Sequence, residues 1–200
     1  MMSVIGASVT DTTPPDSRTR MIASAAELFR EQGYSATGFR DVVEHSGAPR
    51  GSIYHHFPGG KAQLAEEVVQ LASDVTARRI ERAASDGDPQ AMLDAFAGGW
   101  RRQLERSDFR AGCPVVAVAV EADATPEVAA AAAQAFERWE ALFAQTLRRS
   151  GIPRARAGRI ATLTVAAIEG AVIQCRAARS VTALDEVRRE LGALVASARA

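Results

Sequence analysis

The sequence predicts an all-α fold, on three observations. No stretch alternates apolar and polar residues for long enough to argue a sheet. Gly and Pro residues cut the chain into helix-periodic segments joined by short turns. Alanine, the residue with the highest helix propensity, supplies 41 of the 200 positions. A composition of 47% hydrophobic and 24% charged residues is that of a globule and not of a disordered chain. The length suits one domain or two small ones. No segment reaches the ~18 uncharged apolar residues that a membrane span needs. Met1 to Pro15 has neither the basic start nor the apolar run of a secretory leader, so a cytoplasmic protein without membrane attachment is expected.

Nine helices follow in order. A Thr- and Pro-rich tail, residues 1–16, is expected to be disordered. Asp16 or Ser17 caps a first helix that runs to about Gln32 and stops at Gly33; Ile22, Ala25, Ala26 and Phe29 share its buried face. Thr37 is expected to cap a short helix carrying Val42 and Val43, terminated by Gly47. Pro49, placed as an N1 proline, opens another through Phe57. Longer helices follow over 61–84, 89–107 behind Asp88 and Pro89, and 113–123. The next, 126–149, is capped by Thr125 and closed by Ser150 and Gly151. Pro153 opens one that reaches Arg179. Thr182 caps the last, with Asp185 placed to reach back as a capping box.

A longer helix followed by two short ones around a Gly turn is a helix-turn-helix arrangement, in which the second short helix enters the major groove of DNA. Here that helix is Arg50-Gly51-Ser52-Ile53-Tyr54-His55-His56-Phe57. Ile53 and Phe57 share a face and anchor it. Arg50, Ser52 and His55 are then placed for base edges, while Tyr54 and His56 are placed for the backbone. Tyr54 is equally read as packed by its ring. Gly51 costs about 1 kcal/mol relative to Ala in a helix, which suggests close backbone approach to DNA or to the preceding helix. Thr37 and Lys61, at two helix starts, would offer a hydroxyl, amides and a cation to phosphate. Net charge adds nothing, because 24 acidic residues cancel 23 Arg and one Lys, and residues 1–60 carry five Arg against six Asp or Glu.

The string from Thr37 to Lys61, TGFRDVVEHSGAPRGSIYHHFPGGK, resembles the DNA-binding signature of the TetR/AcrR family of transcriptional regulators, most of all its LmrA/YxaF-like subgroup. Gly47, Gly51, Ile53, Tyr54, His56, Phe57 and Lys61 stand in register with it, followed by Leu64. Gly112-Cys113-Pro114, leading into Val115 to Glu121, resembles the start of the sixth helix of that subgroup. Pro49 departs from the pattern, since many relatives carry a Ser there, so no phosphate contact by a side chain is carried over. The resemblance implies a DNA-binding head at 17–63 and an effector-binding and dimerisation bundle at 64–200. It also implies a homodimeric, ligand-responsive regulator, preferentially a repressor. Its partners would be double-stranded operator DNA, a small apolar or aromatic effector and a second copy, with no cofactor.

In the second region, Phe96, Trp100, Phe136, Trp139 and Phe143 are either core or the walls of an effector cavity. Cys113 and Glu169 complete the expected ligand set. Glu169, in an otherwise apolar run, either pairs with an Arg such as Arg176, which is the favoured reading, or meets a ligand, or lies at a dimer edge. Cys113 and Cys175 are read as buried thiols, although a helix start at Cys113 favours a lowered pKa and oxidant sensing. The near-continuous apolar run from Ile160 to Cys175 must be covered on more than one side. Leu163, Ala167, Ala171 and Val172, with Leu191, Leu194 and Val195 of the last helix, are therefore expected at a two-fold interface, against a monomer with this helix at its own centre. No nucleophile elbow, phosphate loop or metal spacing points to an enzyme, and adjacent His55 and His56 cannot chelate one ion as an i, i+4 pair would. The remaining rival is a helical ligand-binding or scaffold protein whose head does not bind an operator.

Overall fold

The computed structural model describes residues 16–85, 87–121 and 125–199, so the expected disordered tail lies, but for Asp16, outside the described residues. Among the described residues there are nine helices and no strand. The first is α1 (Ser17–Gln32), which Asp16 caps by accepting from the Thr19 amide at 2.7 Å, and Gly33 ends it at φ 97°. Then come α2 (Phe39–Ser46), ended by Gly47 in the left-handed region at φ 64°, and α3 (Ser52–His56).

Helix α4 (Gly60–Ala83) runs unbroken across the expected boundary at 63/64. At 1.5 Å per residue its 24 residues span about 36 Å, long enough to link the head to the far end of the bundle. Helix α5 (Pro89–Arg106) starts as expected, with the Asp88 side chain accepting from the Gln90 amide and Pro89 in the first turn. Helices α6 (Pro114–Glu121), α7 (Pro126–Arg149), α8 (Arg154–Ala178) and α9 (Thr182–Arg199) complete the chain. The bundle is built on α4 against α7, α7 against α8 and α8 against α9, while α1 and α6 lie across α4. One continuous core runs from Met21 to Val195. Helix α8 has the length and apolarity of a membrane span, but half of that stretch is buried inside the protein.

Local differences from the expected elements fall at helix starts, and at Thr37 and Asp185 another partner takes the capping side chain. Thr37 does not cap α2: it is buried, its hydroxyl donates to the Gly33 carbonyl and accepts from Gln32, and Gly38 takes the cap position. Helix α3 starts at Ser52 and not at Pro49, whose carbonyl accepts from the Ser52 amide and hydroxyl. Thr125 stands at the start of α7 without a side-chain capping bond. At α9 the expected capping box is absent. Ser180 receives the Thr182 amide, and Asp185 turns to Arg101 of α5 at 2.8 Å.

Candidate functional site

Ile53 and Phe57 are buried, and they fix α3 by one edge, as their four-residue spacing requires. The opposite edge is open to solvent: Arg50, Gly51 and His55 are exposed and Ser52 and His56 half-buried. Tyr54 is 69% exposed, its ring resting edge-on against Phe39 at 5.5 Å, so it packs and still presents its hydroxyl. The Ser52 hydroxyl gives its hydrogen to Pro49 O at 2.7 Å, which leaves the oxygen as an acceptor. Arg40 of α2, which the sequence did not single out, lines one groove of about 630 Å³ with Arg50 and Tyr54. Two guanidinium groups ten residues apart are thus brought to the same face by the turn at Gly47.

At the two helix starts expected to meet phosphate, several of the donors already have partners within the protein. Thr37 is buried, as described above, and the Gly38 amide at the head of α2 is taken by Asp41, which also puts a negative charge there. At the head of α4, the Gly59 amide is held by Gln63 and the Gly60 amide by Phe57. Lys61 donates to the Ser35 carbonyl at 3.2 Å and lies 4.4 Å from the centre of the Tyr34 ring. It keeps two further donors, though burial holds its pKa below the usual lysine value. A Cβ on Gly51 would meet nothing within 4 Å, so packing against α2 does not demand glycine there.

The aromatic set packs against itself. Phe96 meets Trp139 and Phe143 edge to face at 6.1 and 5.4 Å, and Trp139 donates to Ser73 O, leaving these three rings buried core. Phe136, half-buried, packs on Trp139, and neither it nor those three rings lines the cavities that reach the expected ligand residues. Trp100 alone of the five does so, in a hollow of about 160 Å³ between α1, α4 and α5, where its indole N–H finds no partner. Of the two readings open for these rings, this packing supports core for Phe96, Trp139 and Phe143.

Glu169 and Cys113 do come together, in a cleft of about 320 Å³ between the end of α1, α6 and α8. The favoured pairing of Glu169 with Arg176 does not form: Arg176 donates to the carbonyls of Glu31 and Arg110. Both Glu169 carboxylate oxygens are buried without a hydrogen bond. Burial pushes the carboxyl up to about 8, and the neighbouring Cys113 thiol acts the other way. Cys113 itself rises well above its ordinary value through burial and then the charge of Glu169, which outweigh the amides of Val116 and Val115. Of the two readings of Cys113, a buried thiol and a thiolate favoured by the helix start, the raised pKa supports the first.

Bundle and head are stitched together at this cleft. Glu121, at the end of α6, accepts the Ser35 amide at 2.6 Å, and the Gly112 amide donates to Arg30 O at 2.8 Å. The same Ser35 receives Lys61 at the start of α4. Sequence reading missed Ser35 and Glu121, which lie 86 positions apart.

Four of the seven expected interface residues, Ala171, Val172, Leu191 and Val195, are buried in the protomer's own core, because α7 and α9 already cover that side of α8. Leu163 remains 48% exposed, and Ala167 and Leu194 are half-buried.

Residues 21–68 match the family described as bacterial regulatory proteins, tetR family, and residues 89–190 match the LmrA/YxaF-like transcriptional regulator C-terminal domain. A helix-turn-helix transcriptional regulator of Mycobacterium tuberculosis is 46% identical over 180 residues, covering 87% of this chain and 91% of that protein. The transcriptional regulator LmrA of Bacillus subtilis is 33% identical over 171 residues, covering 84% and 91%. The crystal structure of the regulatory protein TetR from Rhodobacter sphaeroides superposes with a TM-score of 0.79 at 27% identity, covering 88% of this chain and 97% of that one.

Proposed function

Because this chain belongs to the TetR family of bacterial transcriptional regulators, in its LmrA/YxaF-like branch, we propose that it is a homodimeric, cytoplasmic repressor. Each subunit places α3 in one major groove of a palindromic operator, and a small apolar or aromatic effector releases it. The observation that carries this reading is the division of α3 into a buried anchor, Ile53 and Phe57, and an open polar edge, Arg50, Ser52 and His55. In a two-fold dimer the two recognition helices must lie about 34 to 36 Å apart to meet successive grooves. An effector in the bundle acts by favouring a state in which α4 swings and that separation changes. The ties from Glu121 and Lys61 to Ser35 supply the linkage, and the shift is limited by the effector's differential affinity for the two states.

For dimerisation, the open side of α8 offers a continuous stripe of apolar and small side chains. Leu163, Ala166, Gly170, Ile173 and Ala177 follow helical spacing, with Leu163 and Ile173 48% and 55% exposed. This stripe, in place of the buried residues first expected there, is the proposed interface.

Operator titration tests the reading. Arg50→Ala should weaken binding by about 1–3 kcal/mol per half-site if the guanidinium reads a guanine. Tyr54→Phe should weaken it by less, about 1 kcal/mol for a lost hydrogen bond, and neither change should disturb the oligomeric state. The salt dependence should be shallow, since Arg40 and Arg50 are the cations that line the groove beside Tyr54. Absence of any sequence preference at every salt concentration would sink the proposal. The absence of excess positive charge in residues 1–60 leaves one rival, a ligand-binding protein with an inactive head, which unchanged operator affinity in both variants would support.

Gly51→Ala separates DNA approach from protein packing. The backbone at φ −84°, ψ −14° suits alanine, and the space is empty, so stability should hold or rise by about 0.4–1 kcal/mol. Operator affinity should fall at least about tenfold if the α3 backbone closes on DNA, a loss of about 1.4 kcal/mol. Unchanged affinity in a gel-shift titration would assign the glycine no part in recognition.

A further inference from the structure

We propose that the cleft between α1, α6 and α8 is a receptor for an organic cation, a protonated amine on an apolar body, whose ammonium is received by the Glu169 carboxylate. The proposal rests on the ligand-responsive reading above and names the class of ligand and where it sits. Apolar walls come from Phe29, Val116, Val120, Val172 and Ile173, and the volume of about 320 Å³ falls at the lower end of the roughly 300–1,000 Å³ typical of small-molecule sites. At the floor, Glu169 is 6% exposed and neither oxygen has a partner. A buried carboxyl with nothing to receive is costly to maintain, and a ligand donor aimed at it removes that cost.

The charges around the cleft select the sign of the ligand. Among the lining residues, Glu31 from α1, Glu121 from α6 and Glu169 from α8 set three carboxylates against one guanidinium, Arg176, whose Nη2 donates to the carbonyls of Glu31 and Arg110. An anion entering there would meet three carboxylates and one guanidinium. A neutral alcohol finds the acceptor alone, while an ammonium adds an ion pair in surroundings of low dielectric constant.

Since the empty cleft holds Glu169 protonated at neutral pH, an ammonium that enters displaces that proton to solvent, and its affinity should climb with pH until the carboxyl would ionise unaided. Besides burial, Cys113 is the group that acts on Glu169. The other titratable groups lining the cleft are Glu31, Glu121 and Arg176. Gly33 and Glu121 line the cleft, so an occupant would lie against the Glu121 to Ser35 bond that holds the head.

The test is calorimetric titration of the full-length protein with phenethylamine and with its neutral counterpart phenethyl alcohol, between about pH 6 and 8.5. The amine should bind at least about tenfold tighter than the alcohol near pH 8, with an affinity that rises by up to about tenfold per pH unit below that point. Glu169→Gln should abolish both the preference and the pH slope, while leaving alcohol binding and the unfolding temperature at pH 6 no lower than in the wild type. Equal binding of the two probes, a preference that survives in Glu169→Gln, or binding of neither overturns the proposal. Operator affinity in the same samples separates the two readings: amine binding that depends on Glu169 but leaves operator affinity unchanged would overturn ligand responsiveness and leave the cation site standing.

Discussion

Leu163→Arg is expected to yield a folded monomer with operator affinity lowered by about 10²–10⁴-fold, the factor that linked half-site binding contributes. Leu163 lies on the open stripe of α8, 48% exposed, and away from both the core and the Glu169 cleft. In a two-fold interface the same patch meets itself, so one substitution buries two guanidinium groups against apolar surface with no carboxylate to receive them. The unfolding midpoint extrapolated to the monomer should change little, because the side chain already faces solvent within the protomer. Light scattering and operator titration read the two effects. A variant that stays dimeric would move the interface elsewhere.

Glu169→Gln is expected to make the protein more stable than wild type at pH 8 and nearly equal to it at pH 4.5. The folded-state carboxyl sits at about 8, whereas the unfolded value is 4.5. Below pH 4.5 both states hold the proton and the group contributes no pH dependence. Between 4.5 and 8 the unfolded chain releases its proton and the folded chain keeps it, so wild-type stability falls as pH rises, at up to about 1.4 kcal/mol per pH unit. Above 8 the cost is constant, on the order of a few kcal/mol. Glutamine keeps the shape and has no proton to lose, so it removes this slope. Calorimetric unfolding of both proteins at pH 5 and pH 8 measures it, and parallel curves would show that Glu169 is solvated or paired in solution.

The helix plan was legible because it rests on local chemistry. Asp16, Gly33, Gly47, Asp88 with Pro89, and Pro126 each act through neighbours a few positions away, and each stands where its residue type dictates. The anchored edge of α3 was legible for the same reason, since the spacing of Ile53 and Phe57 alone decides which side is buried. Thr37 and Asp185 misled because a capping side chain goes to the best partner available. For Thr37 that is the Gly33 carbonyl, and for Asp185 it is Arg101, 84 positions away.

Helical periodicity marks which residues turn away from water without saying whether water is excluded by the chain itself, by a ligand or by a second copy. For that reason Phe96 and Trp139, Ala171 and Leu163 carry similar signals in sequence, yet the first pair is sealed core, the third is internal packing and the last is open surface. By itself the sequence determined the family, the nine helices of the described residues and the polar edge of α3. Only the tertiary structure decided that Glu169 has no partner, that Arg40 joins Arg50, and that Ser35 ties the head to α4 and α6, because those relations are made by side chains far apart along the chain that meet when the helices pack.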